Sequence, residues 1–161
     1  MAASAVVDAS PLIHLAKGGY LELLRLVGDS VAVPVAVANE IRHRGPQDPT
    51  AHALDTTPWL IPTEAPAVPP IIQAWDLGPG ESSVLAYAYV NTGSVAIIDD
   101  LAARRCAEAL GIPLRGTLGL VLIAKKRGVL PAARPVLLKL KQSGMYLSDH
   151  VLDQVLALIE E

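Results

Sequence analysis

Short apolar segments alternate with helix-like segments along most of the chain. The apolar segments are SAVVD, SVAVP, WLIP, SVAIIDD and IPLRG, and most run through valine and isoleucine without polar residues at alternate positions. Continuous apolar strands of this kind are typical of a parallel sheet that helices cover on both faces. The sequence therefore predicts an α/β fold with a mainly parallel sheet, whose polar sites should gather at the carboxyl ends of the strands.

The helix-like segments carry signals for their ends. SPLIHLAKGG has Ser10 as its predicted N-cap and Pro11 at the first helical position, and a glycine follows its last turn. TLGLVLIAKKRG starts with Thr117 as a predicted cap and ends in basic residues. GPQDPTAHALDTTP is predicted as a loop that could hold a helical turn. Amphipathic helices are predicted at about 132–141 and 148–160.

Length and composition restrict the class of protein. The chain has 161 residues, of which 52% are hydrophobic and 18% charged, so a single well-buried domain over 1–161 is predicted. A net charge of −3 does not indicate general affinity for nucleic acid. Cys106 is the only cysteine and excludes an intrachain disulfide. No apolar run is long enough for a membrane helix and the start does not resemble a signal peptide, so a cytoplasmic protein is predicted.

Acidic residues follow two of the predicted strands. Asp8 comes directly after AVV, and Asp99 and Asp100 come directly after VAII. If these strands are parallel neighbours, their carboxylates meet at one edge of the sheet. Glu40 interrupts the apolar helical segment VAVANEI, and Glu81 follows GPG at the start of another helix.

A pocket built from these acids would be unfavourable without a cation. Oxygen-only ligands suit Mg²⁺ or Mn²⁺, and such ions can activate water against a phosphodiester. Each acid also has a simpler interpretation. Asp8, or one of Asp99 and Asp100, could cap the next helix. Glu81 could be favoured by the helix dipole alone, and Glu40 could be an ordinary solvated residue. Their joint placement favours a single site.

The order of these motifs resembles a known superfamily. VVDASPLI, VANEI, GESSVLAYA and AIIDD, followed by GTLG, resemble the PIN-domain nucleases, and in particular a prokaryotic PIN-like branch that carries GTLG. The likeness covers roughly residues 6–129. It implies a three-layer α/β/α sandwich and metal-dependent cleavage of RNA with Mg²⁺ or Mn²⁺ as cofactor. Many such proteins are toxins held by a small antitoxin, so the partners it implies are RNA, an antitoxin and, as a further option, a second copy of the chain.

The resemblance also implies roles for individual residues. It places Asp8, Glu40, Glu81 and Asp100 at the four acidic positions, with Asp99 as the alternative fourth ligand. Ser10 matches a position that supports the metal. Two departures from the common pattern stand out: the third acid is glutamate instead of aspartate, and a doublet replaces a threonine-led TxD. The alternative function is a catalytically degenerate module that binds RNA or a protein.

Other residues give weaker signals. Arg104 and Arg105 lie one turn after the acidic doublet and could steer a phosphate backbone, although a solvated helix face explains them equally well. An aspartyl-phosphate on Asp8 would call for a second aspartate two residues on, where the chain has Ser10. The four histidines have no metal-ligand spacing with one another. Aromatic residues make up 4% of the chain, so no base-stacking platform is predicted.

Overall fold

A five-stranded parallel sheet forms the centre of the protein, whose computed structural model describes residues 5–161. The strands are β1 (Ala5–Val7), β2 (Val31–Pro34), β3 (Leu60–Thr63), β4 (Val95–Ile97) and β5 (Leu114–Arg115), in the order β3-β2-β1-β4-β5. Every neighbouring pair is parallel. Each strand falls on one of the apolar segments predicted from the sequence, although β3 extends one residue beyond WLIP to Thr63; Ser4, in the first of those segments, lies outside the described residues.

Helices cover both faces of this sheet, as the alternating pattern predicts. They are α1 (Ala9–Gly18), a 3₁₀ helix (Leu21–Leu26), α2 (Val35–Arg42), α3 (Pro49–Thr56), α4 (Pro70–Gln73), α5 (Pro79–Val90), α6 (Leu101–Ala109), α7 (Thr117–Lys126), α8 (Arg134–Gln142) and α9 (Asp149–Leu158). The predicted PIN-like α/β architecture is confirmed. None of the helices within residues 5–161 is long and apolar enough to cross a membrane.

The buried strands hold the site in place. The residues of β1 and β2 are fully buried, because helices pack on both sides of the central strands. At the sheet edge, Ile61 of β3 is 41% exposed. Burial of apolar side chains is the main favourable term in folding, so the two central strands form a rigid base for the residues that follow them.

One predicted loop is a helix. Helix α3 begins at Pro49 within the segment GPQDPTAHALDTTP. The Asp48 side chain accepts hydrogen bonds from the backbone N–H groups of Thr50 at 2.9 Å and Ala51 at 3.3 Å. An aspartate cap followed by proline at the first helical position is a strong start signal. The loop prediction was wrong over residues 49–56, where the helical turn that it allowed is extended to a helix of 8 residues.

Candidate functional site

The order of the strands creates a crevice at the carboxyl ends of β1 and β4. The chain runs from β1 to β2 and β3 on one side of the sheet and then to β4 and β5 on the other, so the strand order reverses between β1 and β4. Ligands of open α/β sheets bind where the strand order reverses in this way. The backbone N–H of Asp8 donates to the carbonyl of Ile97 at 3.0 Å. The sheet pairing thus continues one residue beyond β1 and fixes Asp8 beside the end of β4.

Asp8 is the N-cap of α1. Its backbone is extended, with φ −82° and ψ 167°, and its side chain accepts a hydrogen bond from the N–H of Ala9 at 2.9 Å. The prediction that Ser10 serves as the cap is wrong, because the helix already begins at Ala9. Ser10 instead faces His14 one turn later, with 3.2 Å between its Oγ and the imidazole Nε2.

Two adjoining cavities bring the predicted acids together. The first, of about 400 Å³, is lined by Asp8, Glu40 and Glu81 among others. The second, of about 480 Å³, is lined by Asp8, Glu81, Asp99 and Asp100 among others. Ser10 and His14 line both cavities. We call this combined hollow the acidic cleft and define it by the residues Asp8, Ser10, Glu40, Glu81, Asp99 and Asp100.

A glycine keeps the space between two of the carboxylates open. A Cβ on Gly80 would stand 3.3 Å from Oδ1 of Asp8 and 3.9 Å from Oε2 of Glu40. Both oxygens therefore border a position that any other residue would fill with its own side chain. Helix α2 packs against α5, which is how Glu40 reaches a site whose centre lies after β1.

Glu81 folds back over the start of its own helix. A Cβ on Gly78, the N-cap of α5, would stand 2.6 Å from Oε2 of Glu81. The favourable interaction of an acid with a helix start, raised as the simpler interpretation of Glu81, therefore fits its position. Because Glu81 also lines both cavities, that role does not remove it from the cleft.

The charges in the cleft oppose ionisation of Asp8. The pKa of Asp8 is raised to about 7, mainly by burial and also by the carboxylates of Glu81, Glu40 and Asp100, against the lowering effect of the hydrogen bond from Ala9. Asp8 is 4% exposed. A buried acid surrounded by other acids is stabilised in its charged form by a cation, so the donor chemistry fits a divalent ion that prefers oxygen.

The acids are gathered without forming a closed coordination shell. Over residues 5–161, no three side chains of histidine, cysteine, aspartate or glutamate approach closely enough to hold one ion as they stand. Glu40 is exposed on α2, whereas Asp100 is exposed but its carboxylate is held by the hydrogen bond that caps α6.

The two aspartates of the doublet have different partners. Asp99 accepts hydrogen bonds from the N–H of Thr117 at 2.8 Å and from its hydroxyl at 2.7 Å. Asp100 is the N-cap of α6 and accepts from the N–H of Ala103 at 3.0 Å. The expectation that one member of the doublet caps the next helix is confirmed. The prediction that Thr117 caps its own helix is wrong: α7 has no side-chain bond from its N-cap, Gly116, and Asp99 supplies the acceptor instead.

The side chains of the two arginines after the doublet lie in different surroundings. Nη1 of Arg104 donates to the carbonyl of Ile98 at 2.9 Å. A Cβ on Gly116 would stand 2.6 Å from the same Nη1 atom. Arg104 and Asp99 line a separate cavity of about 440 Å³ beside the acidic cleft. Arg105 is exposed on α6. Arg105 is therefore an exposed cation at the surface, whereas the Arg104 side chain is tied to the end of the sheet.

Sequence reasoning missed several residues of the cleft. His14 lines both cavities, and its Nδ1 is buried without a hydrogen-bond partner in the described part of the chain. Burial lowers the pKa of His14 below its ordinary value, with Asp99 acting in the opposite direction. Lys17 lines the first cavity. Ser10, His14 and Lys17 are spaced four and then three residues apart, which would have placed all three near one helix face.

The comparisons with known proteins agree with this architecture. No curated protein matches the chain. A family model described as a PIN domain matches residues 4–161. That match covers nearly the whole chain and confirms the superfamily predicted from the acidic motifs, whereas the roles of the individual motifs stay predictions. On this match, and with the parallel sheet and its covering helices in place, the chain belongs to the PIN domain family.

Proposed function

We propose that this protein is a metal-dependent endoribonuclease that hydrolyses phosphodiester bonds of RNA in the acidic cleft. PIN domains are generally nucleases and generally use divalent metal ions. The observation that carries the proposal is the environment of Asp8, a buried acid whose pKa is raised to about 7 and on which three further carboxylates act. Such a group is costly unless a cation or a proton neutralises it.

Asp8, Glu40, Glu81 and Asp100 are the proposed holders of Mg²⁺ or Mn²⁺. When bound there, a divalent ion would supply the Lewis acidity that activates water and neutralises charge on the phosphate. Asp8 would be the fixed ligand, because its helix cap and its burial hold the carboxylate in one place. Glu40 and Asp100 are exposed and would contribute their carboxylates from the solvent side of the cleft.

The remaining residues of the cleft would orient the substrate and the ligands. Ser10 would support the ion from the first turn of α1, and its contact with His14 would hold the hydroxyl in place. Lys17 brings a positive charge to the first cavity, where it could attract a phosphate that the acids alone would repel. Arg105 could extend that attraction along α6.

Cleavage of RNA by purified protein tests this proposal. Activity should require Mn²⁺ or Mg²⁺, stop when a chelator is added, and disappear in Asp8→Asn, whose amide oxygen can still cap α1. Glu108→Gln is the matched control, since Glu108 is an exposed acid of α6 outside both cavities. Full activity of Asp8→Asn, or cleavage that persists in chelator, would contradict the proposal.

A degenerate binding module is the second candidate. The observation in its favour is that the acids within residues 5–161 are not close enough to hold an ion as they stand. Such a module would bind RNA without metal-dependent turnover. Binding of RNA by wild-type protein together with no cleavage of any RNA tested in Mn²⁺ or Mg²⁺ would favour the module over the nuclease.

A further inference from the structure

An exposed tyrosine lies at the mouth of the acidic cleft. Tyr146 is 90% exposed, more than any other large hydrophobic side chain in the described residues. It belongs to the loop between α8 and α9, more than 40 positions along the chain from the last acid of the cleft. Together with Met145 it lines the same cavity as Asp8, Glu81, Asp99 and Asp100.

The loop holds this tyrosine in a defined place. On one side, Met145 packs against the hydrophobic core, and its backbone N–H donates to the carbonyl of Leu140 at 3.0 Å. On the other side, Leu147 is buried and Ser148 caps α9. Gly144, with φ 114°, makes the turn that leads into the loop. Both neighbours of Tyr146 are therefore anchored, and its exposure is a consequence of the local fold.

Resting on the proposed nuclease function, we infer that Tyr146 is a stacking platform for one unpaired base of single-stranded RNA whose backbone enters the acidic cleft. An aromatic ring accepts any base by its face. Bases inside a duplex are already stacked on both sides, so only an unpaired base could use the ring. The inference adds a base contact to the proposed RNA-cleaving cleft and revises the expectation that the chain has no stacking platform.

The surroundings favour a nucleic acid over a protein partner at this position. The cavity that Tyr146 lines is bordered mainly by polar and charged side chains, four of them carboxylates, and not by a contiguous apolar patch that a protein would bury. Lys17 lines the other cavity of the cleft, where a phosphate beyond the stacked nucleotide could lie. Arg44 lines it as well but is paired with Asp48 at 2.9 Å.

Steady-state kinetics on a single-stranded oligoribonucleotide provide the first test. Tyr146→Ala should raise KM by about 5- to 100-fold, which corresponds to the loss of one base–aromatic stack, with a smaller effect on kcat. Tyr146→Trp should restore KM. Tyr89→Ala is the control, because Tyr89 is a 44% exposed tyrosine of α5 that lines a different cavity. An unchanged KM in Tyr146→Ala would overturn the inference.

A fluorescence measurement separates this inference from the nuclease proposal. Wild type contains Trp59 and Trp75, and Tyr146→Trp adds a third tryptophan whose emission is the difference between the two proteins. In Mg²⁺, a single-stranded oligoribonucleotide should quench that difference. A blunt duplex of the same sequence should not. Quenching without cleavage would support the stacking platform and contradict the nuclease. Cleavage without quenching would support the nuclease and overturn the platform, leaving a protein contact as the better use of Tyr146.

Discussion

Asp99 and Thr117 are joined by two hydrogen bonds across 18 positions of the chain: the carboxylate accepts from the backbone N–H at 2.8 Å and from the hydroxyl at 2.7 Å. Both bonds connect the carboxyl end of β4 to the start of α7. Asp100, in contrast, has one oxygen bonded to its own helix and acts electrostatically on Asp8. Both aspartates line the cleft, but Asp99 also connects two elements, whereas Asp100 caps α6 and acts on Asp8.

We predict that Asp99 contributes mainly to stability. Asp99→Ala should lower the free energy of unfolding by roughly 1–3 kcal/mol, because it leaves two donors of Thr117 without their acceptor. Thr117→Val, which removes only the hydroxyl, should cost about 1 kcal/mol. Urea unfolding curves measure both changes. Wild-type stability in Asp99→Ala, with loss of the Mn²⁺ effect on melting, would make Asp99 a ligand instead.

Asp100 is predicted to behave in the opposite way. Asp100→Asn should keep the cap of α6, since asparagine caps about as well as aspartate, and should melt within a few degrees of wild type in chelator. Because a ligand bound only by the folded state raises the melting temperature, Mn²⁺ should stabilise wild type but not Asp100→Asn. A full Mn²⁺ shift in Asp100→Asn would exclude it from the site.

The sequence predicts the elements that follow local rules and misses the contacts that cross the fold. Apolar runs ending in acids were sufficient to place Asp8 and Asp99 at one sheet edge, because parallel strands end together. The bond from Asp99 to Thr117 could not be predicted, since it depends on how α7 approaches β4. Tyr146 shows the same limit: its place beside the cleft depends on how α8 packs against α1, the helix that follows Asp8.

Gly80 offers a substitution that should affect the site and spare the fold. In Gly80→Ala, the new methyl group would stand 3.3 Å from Oδ1 of Asp8 and 3.9 Å from Oε2 of Glu40, and would occupy space between the two proposed ligands. Gly80 is the second residue of α5, so alanine gains less there than the roughly 1 kcal/mol of a helix interior, and the close contact with Asp8 opposes that gain. We expect stability in chelator within about 1 kcal/mol of wild type and weaker Mn²⁺ binding by calorimetry. Gly119→Ala is the control, because its Cβ would meet no atom within 4 Å.

Arg104 and Arg105 should differ in how they affect RNA binding. Arg105→Ala should reduce the affinity for RNA and lower the slope of log K against log salt by about one, as expected when one phosphate contact is lost. Arg104→Ala should instead cost roughly 1 kcal/mol of stability, because Arg104 bonds the carbonyl of Ile98. Salt titrations and unfolding curves of both variants test whether Arg105 contributes to RNA binding and Arg104 to stability. An equal loss of salt dependence in both would place Arg104 at the RNA as well.

The raised pKa of Asp8 makes the stability of the metal-free protein depend on pH. The unfolded chain loses this proton near the ordinary pKa of 3.8, whereas the folded protein keeps it up to about pH 7. The folded state thus binds more protons in this interval, and its stability should fall as pH rises from about 4 to 7 and then level off. Between pH 5 and pH 7 the Asp8 contribution amounts to roughly 2–3 kcal/mol.

Asp8→Asn removes this dependence while keeping an acceptor for the cap of α1. In chelator, its stability relative to wild type should therefore rise by roughly 2–3 kcal/mol between pH 5 and pH 8. Asp8→Ala, which loses the cap as well, should be less stable than Asp8→Asn by about 0.5–2 kcal/mol at both values. In Mn²⁺ at pH 8, wild type should be more stable than Asp8→Asn, because only wild type would gain the binding energy of the ion. Unfolding curves for the three proteins at pH 5 and pH 8, with chelator and with Mn²⁺, test these differences in stability. If wild type and Asp8→Asn had parallel pH profiles in chelator, the carboxyl of Asp8 would not be the acid on which the charges of the cleft converge.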